Sequence, residues 1–437
     1  MKFRPLLCAS SLLLCAAGMA HGQATSPAAP APAMAAPVTM AQALQAARDN
    51  VEVAIARSGL AAARADILTA DHAPVPVLSA KTASIDLDNG IGPGGLLRKR
   101  IDKSIGIDWT WERGNKRALR TRGARQLAEA AQADVDDTIQ QQQLAAQGAF
   151  FDLLAAQERV QLVQALAQDA RQLAATAARR TRAGDLAAQD ARRMEIEAAR
   201  AAADAQSAGL ERQRAALALG PLIGRGDAGE HLQASGDWAL PAPPAQTDAA
   251  ALAATRPEVL AAAARVDAAQ AALDGARALR KADITWGVSY DHYPGTSRAL
   301  VELRAQMPLH WGYEFEGEIG RALAELRQAE DTQQKVLRAT TTELQRLRLE
   351  ATTALALAQR QDSEIVPSAR AVANTAEQAY QRGGIDLTDL LDARRTLRAA
   401  LLEALAARQE AAKASGAWLL RSQAGAVYAP HFPKDPS

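Results

Sequence analysis

Three aspartates, Asp386, Asp389 and Asp392, recur at every third position directly after Gly383-Gly384. At that spacing they begin a helix and share much of one of its faces. Two chemistries suit such a stripe. Carboxylates in a first helical turn can cap it and meet its dipole, a gain of about 0.3–1 kcal/mol each. Turned toward a pore, the same groups would form an anionic ring that concentrates cations. Spacing alone leaves both open. His72, His231, His292 and His310 are scattered, with no metal-ligand spacing. Gly90-Ile91-Gly92-Pro93-Gly94-Gly95 and Gly224-Arg225-Gly226-Asp227-Ala228-Gly229 match a dinucleotide-binding pattern in letters only, since neither follows a strand and opens a helix. No catalytic constellation, metal site or cofactor motif is expected.

The elements that must position these aspartates occur twice. Strand Ile105-Gly106-Ile107-Asp108-Trp109-Thr110-Trp111 is followed by Gly114, a long Ala-rich helix, Arg182-Ala183-Gly184 and Asp190. About 200 residues later come a strand from Val301 to Met307, Gly312, Arg382-Gly383-Gly384 and Asp389, in the same order. Such duplication points to a symmetric conduit rather than a catalytic pocket. The periodicity predicts a helix over residues 39–69, a rod over 115–181 and a return helix over 187–219 that ends at Gly220-Pro221. The first rod would span roughly 100 Å. In the second copy Leu337, Leu344, Leu347, Ala351, Ala354 and Ala358 follow a coiled-coil spacing, and Pro367 should kink the helix that carries them.

Four strands are predicted: residues 77–87, 99–111, 284–291 and 301–309. Asn89-Gly90 is read as a hairpin signal for the first pair and Pro294-Gly295 for the second. Ile105, Ile107, Trp109 and Trp111 alternate with Ser104, Gly106, Asp108 and Thr110. Trp286, Val301 and Leu303 likewise alternate with Gly287, Glu302 and Arg304. One apolar and one charged face suit strands between lipid and a wet lumen, although an edge hairpin of a soluble sandwich carries the same pattern. Helices too long to cover a sandwich weigh against the second reading. Four strands cannot close a barrel, so oligomerisation must supply the rest.

Residues 1–22 have the layout of a secretory signal, followed by a Pro/Ala-rich tether over 23–38. The two cysteines, Cys8 and Cys15, both fall in the signal, so no disulfide or thiol chemistry is expected beyond it. The remaining domain boundaries are a first repeat over 39–234, a linker over 235–247, a second repeat over 248–425 and a tail over 426–437. Lys and Arg number 50 against 49 Asp and Glu, so no basic footprint for nucleic acid exists.

With these landmarks the chain resembles the TolC-like outer-membrane efflux channels over about residues 39–425. The most specific pieces are Tyr380 to Arg394, which reads YQRGGIDLTDLLDAR, and Arg256-Pro257-Glu258. Phe150 to Val160, FFDLLAAQERV, is similar to the CzcC-like heavy-metal branch. The resemblance implies a mainly α fold with transmembrane β: a homotrimer whose 12-strand barrel, four strands per chain, continues into a long periplasmic α-barrel. It implies a passive conduit in the outer membrane of a Gram-negative bacterium. A periplasmic adaptor protein would dock at its helical tips, and an inner-membrane RND-type pump would drive export, possible cargoes being heavy-metal cations or organic compounds. Asp389 and Asp392 match the aspartates that ring the periplasmic entrance, with Asp190 and Tyr380 near the closed-state contacts, and Asp386 left as the better cap. Gly184, Leu186, Gly383, Gly384, Ile385 and Leu387 fall at the adaptor-docking tips, with Leu186, Ile385 and Leu387 expected exposed. Trp109, Trp111, Trp286, Val301 and Leu303 would face lipid. The family's arginine near the constriction aligns with Ile385, which puts the same gating salt bridge in question. The rival classes are a soluble periplasmic adaptor and a cell-surface coiled-coil scaffold.

Overall fold

A computed structural model describes residues 37–95, 98–238, 242–244 and 247–423. The expected signal over 1–22, most of the tether and the tail over 426–437 lie outside the described residues. Val38, the last tether residue, is buried and hydrogen-bonded in a parallel bridge to Ala234.

The first helical segment breaks in two, α1 (Met40–Ala47) and α2 (Val51–Ala70), where one helix was expected. Thr39 and Gln42 close a capping box on α1. Buried Asn50 then caps α2 by accepting from Glu52 N–H, while its Nδ2 donates to Leu222 O. Strand β1 (Val77–Ala83) is shorter than predicted. Asn89-Gly90 does not form a two-residue hairpin; it lies in a long loop, where the Asp86 carboxylate accepts from Asp88 and Asn89 N–H and from Asn89 Nδ2. Strand β2 (Asp102–Trp111) leads through Gly114 and Asn115, both at positive φ, into α3 (Lys116–Ala183), 68 residues long.

The return helix α4 (Ala188–Leu222) runs past Gly220, with Pro221 in its last turn rather than at its end. A short α5 (Ala249–Ala254) and α6 (Pro257–Ala278), with Pro257 in its first turn, open the second repeat. Strands β3 (Ile284–Tyr293) and β4 (Ser297–Gln306) follow, so Met307 and Leu309 lie beyond the strand to which they were assigned. Helix α7 (Glu316–Arg360) passes through a π-helical turn at Gln361–Ile365 into α8 (Val366–Gln381). The irregular turn lies just before Pro367, whose ring crowds the carbonyl four residues back and whose missing N–H releases it. Helix α9 (Leu387–Ser422) closes the chain.

The strands form one antiparallel sheet in the order β1-β2-β3-β4, and the central β2–β3 pair joins the two repeats. Register sets Trp109 against Trp286 and Ala305, Ile107 against Val288 and Leu303, and Ile105 against Tyr290 and Val301. These apolar rows share one face. On the other, Asp108, Gly287 and Arg304 form one row, and Arg304 Nη2 reaches over Gly287 to Asp108 Oδ1 at 2.5 Å. Thr110 and Thr285 hydroxyls meet at 3.0 Å on the same face.

Helix packing relies on small side chains. The predicted seam is buried in a cluster of Leu344, Leu347, Ala351, Ala354 and Ala358 with Ala407, Ala411 and Trp418 of α9. A second cluster centres on Phe150, Phe151 and Leu153, with Trp238 stacked on Phe151 at 5.9 Å. Gly416 accommodates the Gln147 side chain, whose Nε2 donates to Ala412 O and Lys413 O and so pins α3 to α9.

Because a Cβ on Gly287 would overlap Asp108 Oδ1 and lie 3.1 Å from Arg304 Nη2, Gly287→Ala should break the ionic strap. It should lower the thermal dissociation midpoint of the purified assembly, at a cost of about 1–3 kcal/mol. Gly295→Ala, with nothing near its Cβ, should leave the midpoint unchanged.

Candidate functional site

The two helical hairpins end in the same local geometry. At the first tip Gly184, at φ 85°, lets its N–H reach Thr181 O while Asp185 N–H reaches Arg180 O. At the second, Gly383, at φ 75°, donates to Tyr380 O and Gly384 to Ala379 O. Both are reversals that need a left-handed residue after the helix. The tips meet in one apolar cluster: Ala177, Ala191, Met194 and Leu387 are buried, with Leu173, Leu186, Tyr380 and Leu391 packed around them. Leu387 is therefore not the exposed docking residue expected from sequence, because it is the first residue of α9 and turns into this cluster. Leu186 and Ile385 are half-buried.

Asp386 accepts the N–H of Asp389 at 2.9 Å and is the N-cap of α9. Asp389 and Asp392 are exposed, and neither carboxylate has a salt-bridge partner among the described residues. Asp190 sits in the first turn of α4, with Arg193 Nη1 3.9 Å away. Spacing grouped the three aspartates; the structure separates the cap from two free carboxylates.

Farther from the tips, Arg395 pairs with Glu197 and Arg398 with Asp204, joining α9 of the second hairpin to α4 of the first. Arg394 pairs with Glu377 at 3.1 Å. These pairs border a cleft of about 250 Å³ between the hairpins. Sequence reading passed over them, although arginines at 395 and 398 continue the three-residue spacing of the aspartates.

A second polar cluster also escaped the sequence, except for its Arg256-Pro257-Glu258 corner. Arg421, near the end of α9, donates to Glu343 Oε1 at 3.2 Å and to Glu258 Oε1 at 3.0 Å, and lies 3.4 Å from Asp137 Oδ1. Arg256 is 1% exposed and donates to Arg421 O at 2.9 Å and to Gln140 Oε1. Burial, reinforced by the Glu258 carboxylate, pushes the Asp137 carboxyl above its ordinary value. Burial, with Arg421 beside it, lowers that of Arg256. Two cations thus hold three carboxylates from α3, α6 and α7 at the point where α9 ends.

On the sheet, Trp109, Trp111, Trp286, Val301 and Leu303 are all exposed on the apolar face, Val301 by 71% and Leu303 by 79%. No helix among the described residues is long and apolar enough to cross a membrane. The described residues also contain no group of three or more His, Cys, Asp or Glu side chains placed to hold a metal ion.

The sheet has one apolar face, one charged face and two free edges, a pattern that suits strands between lipid and a wet lumen, and it continues into helical hairpins far longer than a globular core needs. Residues 250–418, within the second repeat, match the family described as outer membrane efflux protein. It is 29% identical over 296 residues to the cobalt-zinc-cadmium resistance protein CzcC of Cupriavidus metallidurans, covering 65% of this chain and 68% of the relative. The fold is shared with the CmeC outer membrane channel of Campylobacter jejuni, at a TM-score of 0.74 and 12% identity over 88% of this chain and 85% of that one. It is also shared with the outer membrane protein VceC of Vibrio cholerae, at 0.72 and 18% over 88% and 95%.

Arg421→Met should destabilise the protein by about 3–5 kcal/mol, since it removes the buried guanidinium that holds three half-buried carboxylates. Arg408→Met, which removes a more exposed pair with Asp362, should cost only about 0–1 kcal/mol. Denaturant unfolding followed by helical circular dichroism compares the two.

Proposed function

We propose that three copies of this chain form the outer-membrane conduit of a tripartite efflux assembly that exports heavy-metal cations. The supporting observation is the sheet itself: four strands with two free edges and one apolar face. Backbone groups on such edges have no partner in lipid, and three copies side by side give twelve strands, enough for an open channel. The two repeats, 39–234 and 248–425, joined by the linker 235–247, each contribute one strand pair and one helical hairpin. Trp109, Trp111, Trp286, Val301 and Leu303 face the lipid.

The hairpin tips form the periplasmic entrance, with Asp389 and Asp392 as its ring and Asp190 and Tyr380 beside it. Gly184, Leu186, Gly383, Gly384 and Ile385 shape the surface offered to a periplasmic adaptor, which couples the conduit to an inner-membrane RND-type pump. Metal cations as cargo draw support from the relative named for cobalt, zinc and cadmium resistance and from the two unpaired carboxylates. The conduit needs attraction rather than tight coordination, since cargo must leave as readily as it enters.

Mass measurement of the protein extracted in mild detergent should give a trimer; a stable monomer would overturn the barrel. Asp389→Ala with Asp392→Ala should reduce cation selectivity and relieve block by divalent ions in planar-bilayer recordings, with assembly intact. Unchanged selectivity would remove the ring and leave the channel standing.

A further inference from the structure

The segment between β4 and α7 combines firm anchoring with exposed apolar side chains. Met307, Leu309, Trp311 and Tyr313 are all exposed, Trp311 by 87%. Yet the segment is held in place. The His310 ring packs edge-on against Phe315 with centroids 4.8 Å apart, and Tyr313 lies 5.1 Å from Phe315. Tyr313 Oη donates to Glu318 Oε2 at 2.5 Å. Arg280, just past the end of α6, donates through Nε to Glu314 O at 3.1 Å, and Arg113 Nη1 approaches Met307 Sδ at 3.9 Å. Gly312, at φ 72°, and Phe315, at φ 58°, fix the path of the backbone. The contacts hold the backbone and neighbours of Trp311 and Leu309 while leaving these two side chains outside.

We propose that residues 307–313 are a membrane-surface anchor, and that Leu309 and Trp311 insert into the phospholipid interface of the periplasmic leaflet. The inference rests on the barrel reading of the sheet. Its first support is continuity. The last pair of the apolar face at this end is Trp111 with Ile284, one row beyond Trp109 and Trp286; Gln306 faces Thr285, so the segment starts with Met307 at the level of Ile284. The exposed apolar surface therefore carries on from the lipid face at the level where the hydrocarbon ends. Indole, with an apolar body and one N–H donor, is suited to that level.

The second support is what a neighbouring copy can reach. A copy that closes the barrel pairs with the free edge of β4, over Ser297–Gln306. Pro308 has no N–H with which to continue a ladder, so strand pairing stops before Leu309 and Trp311. Arg113, Arg280 and Lys281 cluster at the same junction, and their cations fit the phosphates of a headgroup layer.

The test uses spin labels on the assembled protein in phospholipid vesicles. Cys8 and Cys15 are the only cysteines, so with both replaced, Trp311→Cys provides a single labelling site, with Val301→Cys and Glu302→Cys as lipid-face and lumen-face controls. The label at 311 should be several-fold more accessible to oxygen than to a polar nickel chelate, with a shallower depth than at 301. Free access of the chelate at 311, with 301 still in lipid, overturns the anchor and leaves the barrel intact. Exclusion of both reagents at 311 also overturns it, because protein rather than lipid then covers the site. A label at 301 that is open to the chelate brings down the barrel reading and the anchor together. If Trp311→Cys fails to assemble, quenching by lipids brominated near the headgroup decides: Trp311→Phe should remove a quenchable part of the emission, and an unchanged quenched fraction overturns the anchor.

Discussion

A strand edge in lipid has no water to satisfy its N–H and C=O groups, and the organisation of this chain follows from that constraint. The sheet has four strands, and β1 and β4 each leave one edge open. A monomer in the membrane would carry two rows of unpaired backbone groups, each costing several kcal/mol. Closing the ring with identical copies removes every edge at once. The duplication within the chain serves the same end, because the β2–β3 pair fuses two similar hairpins into one segment of the ring. A two-strand unit would need six separate chains to build the same barrel.

Closure also needs curvature, and the inner face supplies it with small residues beneath long ones. Gly287 leaves the gap through which Arg304 meets Asp108 from two strands away. Gly106 allows Ser289 to approach so closely that a Cβ would lie 2.8 Å from the serine Cβ. Where the sheet gives way to helices, side-chain size again sets the spacing. Ala at most contact positions brings the rods close enough to be held by a few specific devices, notably Gln147 against Gly416 and the Arg256–Arg421 cluster. That cluster costs desolvation, as the raised Asp137 carboxyl indicates. In return it fixes the end of α9 against three other helices, which packing between near-identical alanine faces would specify poorly.

Much of this was legible in the sequence because it rests on periodicity. The alternation of Trp109 and Trp111 with Asp108 and Thr110, the seam from Leu344 to Ala358, and the glycine reversals at 184 and 383 each depend on residues close in the chain. Most of the departures come from distant partners. Asn50 breaks the first helix because Leu222, 172 residues away, accepts its amide. The short loop signal Asn89-Gly90 gives way to Asp86, which organises a longer loop around it. Leu387 looked exposed as part of a tip and is buried because the other tip packs onto it. Arg421, at the far end of the chain from Asp137, carries no local sign of its role.

The hairpins are tied together by arginines farther along α9 rather than at the reversal itself. Along α9, Asp386, Asp389, Asp392, Arg395 and Arg398 follow one another at three-residue steps. Three residues turn an α-helix by 300°, so each step falls back by roughly 60° and the stripe winds around the helix. From Asp389 to Arg395 it turns by roughly 120°, enough to carry it from an exposed carboxylate to a guanidinium that meets Glu197 on α4. Arg398 then reaches Asp204 two turns farther along α4. One sequence period thus provides free anions near the tip and ionic ties above it. Any movement that parts α4 from α9 must break both ties, whereas a side chain such as Ile385 at the reversal adds only apolar contact. The charges that would attract a cation and those that hold the hairpins together lie on one helix, separated by rotation alone.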